Sequence, residues 1–143
     1  MTDKTINYLG IARKAGKLAA GEQAVGAVAQ AGRARLLLIA SDASPSALRR
    51  ANSFITGKRT VLLKIPLTKE ELSRAIGSGS CAMAAVTDIG LAANIAKALA
   101  AEPGGAEYGQ AAELLSARNA KAIRRRRDKK KSRKNDKIKE DRI

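Results

Sequence analysis

The chain has 143 residues, with 28 Lys and Arg against 13 Asp and Glu, a formal net charge of +15 and a pI near 10.6; it suits one ordinary domain plus an appendage, and its charge points to a polyanionic partner. With no histidine and a single cysteine, Cys81, the Ser-His, Cys-His and His-metal arrangements, a Cys/His zinc site and an internal disulfide are excluded, so a binding protein without cofactor is expected rather than an enzyme. No stretch reaches the roughly 18 consecutive apolar residues of a membrane span and no signal pattern opens the chain, which predicts a cytoplasmic protein.

The first element is predicted to be a helix over residues 2–15, where Ile6, Leu9, Ala12 and Ala15, with Tyr8 and Ile11, form an apolar stripe ended by Gly16. A short segment, 17–20, leads to Gly21, after which Ala24, Val25, Val28 and Ala29 predict a second helix stopped at Gly32. The unbroken apolar run 36–40 has strand length and reads as a central strand covered on both faces. Ser44-Pro45 supplies an N-cap and a first-turn proline for a third helix reaching about Ile55, and 60–65 reads as another buried strand.

Thr68 and Glu71 match a capping box, with Leu72, Ala75 and Ile76 on the inner face of a short fourth helix ended by Gly77. A further strand follows at 82–86, and Asp88 caps a helix carrying Leu91, Ala92, Ile95 and Leu99 inward. Alternating helices and buried strands predict an α/β fold: a three-layer α/β/α sandwich on a mixed sheet of about four strands. The domain is expected to span 1–101. Glu102-Pro103-Gly104-Gly105 then opens a linker and basic tail, 102–143, in which 111–123 has helical character and the remainder is disordered or partly helical.

Residues 118–142 hold 14 basic and four acidic side chains, about ten of the fifteen net charges. Arg124, Arg125, Arg126, Arg127, Lys129, Lys130, Lys131, Arg133 and Lys134 are the expected phosphate contacts of this tail, which gives affinity without sequence information. Specificity then falls to the domain. Its only aromatics, with the linker included, are Tyr8, Phe54 and Tyr108, so recognition through backbone, glycine and polar contacts to a shaped RNA is expected over base stacking. Residues 77–80, Gly-Ser-Gly-Ser, have the glycine content of a phosphate cradle but lack a Walker lysine, and a plain turn is the simpler reading. Cys81 reads better as a small half-buried residue than as a reactive thiol.

The segment Leu9-Gly-Ile-Ala-Arg-Lys-Ala-Gly-Lys17, followed by Gly21-Glu-Gln, Ala34-Arg-Leu-Leu-Leu-Ile-Ala-Ser-Asp-Ala43 and Ala85-Val-Thr-Asp-Ile-Gly90, resembles the YlxQ-like bacterial branch of the kink-turn-binding ribosomal protein family. The resemblance covers about residues 4–101, in matching order, and leaves out the tail. It implies an α/β/α sandwich with an RNA site where the second helix begins, opposite the loop before the last strand. Structured RNA, above all ribosomal RNA, is the implied partner, with ribosomal proteins beside it, a setting on or near the ribosome, and no membrane or small-molecule substrate.

The family signature is glycine, any residue, asparagine, glutamate, two further residues and lysine. Gly21 matches and Gln23 stands at the asparagine position, while Ala24 and Ala27 replace the glutamate and lysine. Glu22 is a substitute acceptor, Lys14, Lys17, Arg33 and Arg35 are within reach of phosphates, and Gly79, Ser80, Cys81 and Ala82 are implied contacts in the opposite loop. Two readings follow: a domain that recognises a bent RNA helix, or a scaffold or ribosome-assembly protein held on RNA non-specifically by its tail.

Overall fold

Three helices in the computed structural model, which describes residues 3–141 with side chains for 4–134, start where the sequence supplies a capping side chain. Thr2 and residues 142–143, included in the helix and tail expectations, lie outside the described residues. The chain runs through α1 (Asp3–Lys14), β1 (Leu18–Ala20), α2 (Glu22–Gln30), β2 (Leu36–Ile39), α3 (Pro45–Ile55), β3 (Val61–Lys64), α4 (Lys69–Ala75), β4 (Met83–Val86) and α5 (Ile89–Ala100). A 3₁₀ turn (Gly105–Tyr108) and α6 (Gly109–Asp141) complete it.

Ser44 Oγ accepts from Ala47 N at 3.1 Å to start α3, and Asp88 Oδ2 accepts from Leu91 N at 2.9 Å to start α5. At α4 the capping box is complete: Glu71 N donates to Thr68 Oγ1 and Thr68 N donates to Glu71 Oε1, both at 3.2 Å. The backbone donor of Thr68 holds the Glu71 carboxyl below its ordinary range.

The four strands form one mixed sheet in the order β1-β4-β2-β3, with β2 parallel to β3 and β4 antiparallel to both of its neighbours. Strand alternation divides the core between two faces. Leu36, Leu38, Ala84 and Val86 pack against α1, α4 and α5, while Leu37, Ile39, Met83 and Ala85 pack against α2 and α3. That is the three-layer sandwich expected from the sequence. β3 differs from the expectation of a buried strand: it is the sheet edge, so Val61, Leu62 and Leu63 are only half-buried and Lys64 is exposed.

The chain after residue 101 turns back onto the domain. Tyr108, Ala112 and Leu115 sit in the same core cluster as Leu9 and Leu99, and Tyr108 Oη donates to Lys64 O at 2.7 Å. Residues placed by the sequence in a linker and tail therefore help to cover the sheet, and helix continues to Asp141. Gly105 makes this return possible: a Cβ there would lie 2.1 Å from Leu99 O.

Candidate functional site

The turn from β1 into α2 is set by Gly21, whose φ of 87° is a conformation that side-chain-bearing residues rarely adopt. Its N–H donates to Met83 O at 3.0 Å and its carbonyl accepts from Val25 N at 3.0 Å, tying the start of α2 to the start of β4. Because β4 runs antiparallel to β1 and β2, the loop leading into it lies beside the C-terminal ends of both. The result is a cleft of about 250 Å³ that brings Gly21 and Glu22 together with Ser80, Cys81 and Ala82, as the resemblance implies. A Cβ on Gly21 would meet nothing within 4 Å, so the approach to its backbone is open.

Beyond the expected site residues, the cleft is lined by Ser44, the N-cap of α3, by Ser46, Ala47 and Arg50 from the first half of α3, by Lys69 at the start of α4 and by Met83. Arg50 Nη1 pairs with Glu22 Oε1 at 2.5 Å, so the substitute acceptor Glu22 already has a partner. Gly21 supplies no capping side chain, which leaves the first-turn N–H groups of α2 for an incoming acceptor at the positive end of the helix. Cys81 has a different place from the implied contact role. It is 5% exposed and part of the core, its N–H donates to Ser73 Oγ at 2.9 Å, and Ser73 Oγ in turn donates to Lys69 O at 2.7 Å. That brace fixes the loop and leaves Ser80, with its exposed neighbour Gly79, to face outward.

Gln23, Ala24 and Ala27 are exposed on α2. Gln23 and Ala27 border a wider groove of about 800 Å³ between α2 and α3, where Gly26 leaves room for Phe54: a Cβ would stand 3.0 Å from its ring.

The cations Lys17 and Arg35 are not in the cleft. Lys17 O accepts from Thr87 N at 2.9 Å and Arg35 N donates to Val86 O at 2.8 Å, which puts both at the other end of β4. Lys14 and Arg33 are exposed beside them in sequence. At this end Arg35 joins Arg59, Arg118, Lys121 and Arg125 around a pocket of about 220 Å³. Arg118 Nη1 donates to Arg59 O at 2.7 Å, while its Nε is buried without a hydrogen-bond partner among the described residues. Burial, and then the Arg59 charge, lower the Arg118 pKa from its ordinary value. The other tail cations, Arg124, Arg126, Arg127, Lys129, Lys130, Lys131, Arg133 and Lys134, are exposed along α6.

No family model and no curated protein sequence matches the chain. Solved structures do. A protein of unknown function from Bacillus halodurans superposes with a TM-score of 0.61 at 25% identity, covering 67% of this chain and 96% of that one. The 15.5 kD RNA binding protein of Giardia lamblia superposes with a TM-score of 0.57 at 19% identity, covering 78% of this chain and 87% of that one. Both likenesses concern the fold.

Chemically, the cleft offers backbone N–H donors, serine hydroxyls, the Lys69 ammonium and the Arg50–Glu22 ion pair, a set suited to phosphate oxygens and polar base edges. Among the described residues no group of three His, Cys, Asp or Glu side chains could hold a metal ion, and no helix is long and apolar enough to cross a membrane.

Proposed function

We propose that the protein binds structured RNA, recognising its shape at the Gly21 cleft and adding sequence-independent phosphate contacts along α6, and that it acts by binding rather than catalysis. The observation that carries this reading is the joining of the β1–α2 turn and the β4-leading loop into one cleft, in a fold shared with an RNA binding protein of Giardia lamblia. The charge of +15 supports a polyanionic partner. On this reading the chain belongs with the YlxQ-like bacterial branch of the kink-turn-binding ribosomal proteins and works in a translation or ribosome-assembly setting, with ribosomal RNA as its partner. Gln23, exposed in the first turn of α2, retains an amide for a base edge.

A scaffold reading also has an observation behind it. Ala24 and Ala27 present only methyl groups on the exposed face of α2, while most of the net charge lies on α6. That favours tail-driven binding without shape selection.

Filter binding of the full chain to a kink-turn RNA, and to a control in which Watson–Crick pairs replace the sheared G·A pairs, separates the two. A preference of about tenfold, equivalent to about 1.4 kcal/mol, that shrinks in Gln23→Ala supports the shape-reading site. Equal binding of both RNAs, unchanged by Gln23→Ala, supports the scaffold. Failure to bind either RNA at low salt overturns RNA binding altogether.

A further inference from the structure

At the end of the sheet remote from the Gly21 cleft, cations distant in sequence converge. Arg35 stands just before β2, Arg59 just before β3, and Arg118, Lys121 and Arg125 lie at helical spacing on one side of α6. No acidic residue lines the pocket they form, and the neighbouring Asp88 is committed to capping α5 through Leu91 N at 2.9 Å. Like charges brought together repel, so the convergence of five cations from three parts of the chain carries a cost that a bound anion would offset. Here one is also held in place: Arg118 is tied to Arg59 O through Nη1 while its buried Nε has no hydrogen-bond partner among the described residues. A buried donor left unsatisfied is costly, and the planar guanidinium fork matches a tetrahedral oxyanion.

We infer that this pocket is a second RNA contact, a built site for a backbone phosphate that fixes the base of α6 on the nucleic acid. It gives roles to Arg59, Arg118 and Lys121, which the Gly21 cleft does not use. The inference rests on the RNA-binding reading above. The two sites are separated by the length of β4, about 13 Å at ~3.3 Å per residue, so one folded RNA can span both.

Two measurements on the full chain test it. In the first, Arg35→Gln with Arg125→Gln is compared with Arg127→Gln with Arg133→Gln, which removes the same charge from exposed positions outside the pocket. The pocket pair should weaken binding of an RNA hairpin about tenfold or more, and the outer pair about two- to threefold. In the second, the Nε–Hε resonance of Arg118 is followed by NMR as inorganic phosphate is added. It should shift saturably in the parent protein and lose that response in the pocket pair. Equal weakening by the two pairs overturns the assignment. If phosphate saturates the Arg118 signal but the protein binds no RNA, the RNA reading fails and the pocket is one for free phosphate. If phosphate leaves Arg118 unmoved, the cluster is only a solvated basic face and the built site is refuted.

Discussion

Replacing Gly105 with alanine tests whether the start of α6 is part of the fold. The new Cβ would stand 2.1 Å from Leu99 O and 3.0 Å from Ala100 O, backbone atoms at the end of α5 that cannot rotate aside. Relief requires lifting the 105–108 turn, and with it Tyr108 and Leu115, now 5% and 0% exposed. The penalty is the smaller of two costs. Forcing an extra methyl into a packed site costs about 1–3 kcal/mol, and re-exposing large apolar side chains costs about 1.5–3 kcal/mol each. A loss of about 2–3 kcal/mol is therefore expected, and at about 3–4 °C per kcal/mol for a chain of this size the melting temperature should fall by roughly 6–12 °C. Circular-dichroism melts at fixed salt would measure it. Gly109→Ala is the matched control, because Gly109 has helical φ and ψ and a Cβ there meets nothing within 4 Å; it should be neutral or stabilising by about 0.5–1 kcal/mol. If Gly105→Ala melts within about 2 °C of the parent, a shift worth less than about 1 kcal/mol, the base of α6 is not a structural part of the core.

Burial, with the Glu107 charge second, pushes the Tyr108 hydroxyl up to about 12. Its folded pKa thus exceeds the ordinary value of about 10, so the stability tied to its proton is intact below pH ~10 and is lost as pH rises from about 10 to 12. The phenolate absorbance missing from Tyr108→Phe should accordingly appear only near the upper end of that range, and ionisation of this group at its ordinary pH would contradict the burial argument. Glu71 has the opposite sign: held low by Thr68, its contribution is present above the ordinary carboxylate range and lost as pH falls through its folded value. Thr68→Ala should cost about 1 kcal/mol in urea unfolding near neutral pH, and no loss would mean that the box is not formed in solution. RNA affinity of the full chain should fall steeply with salt, at a log-log slope of about −0.7 to −0.9 per phosphate contact; glutamine at Arg124, Arg126 and Arg127 should flatten it, and a flat response in the parent would rule out the phosphate arm.

Capping and the central strand were legible because they are local: Thr68 with Glu71, Asp88 ahead of Leu91, and the unbroken apolar run of β2 each carry their own evidence. The half-exposure of β3 was not, since an apolar run looks alike whether the strand is central or at an edge, and strand order depends on partners far away in sequence. The domain's end was misread for a physical reason. Glycine beside proline ordinarily marks a break, but here Gly104 at φ 77° and the side-chain-free Gly105 turn the chain sharply back against α5. The signal that could have corrected this was present: Tyr108, Ala112 and Leu115 lie at helical spacing and all are buried. In the cleft, Gly21 and Ser80 came from the family resemblance. Arg50 reaches it from the middle of α3 and Lys69 from the start of α4, and a rule that ligands gather beyond the carboxyl ends of strands would have pointed there.

The placement of charge along α6 links this folded base to the proposed function. Arg125 and Lys129, Arg126 and Lys130, and Arg127 and Lys131 are like charges one helical turn apart, a spacing that destabilises an isolated helix. What favours helix is the inner end, where Leu115 is buried and Arg118 is hydrogen-bonded to Arg59 O. A polyanion laid along the outer turns would relieve their repulsion, so on the RNA-binding reading the same contacts that add affinity also strengthen the helix. A flexible tail attached at residue 102 would gain affinity alone. A helix docked at its base instead presents its cations in a fixed direction from the domain, so on the proposed reading the orientation of RNA at the Gly21 cleft would constrain which phosphates α6 can reach.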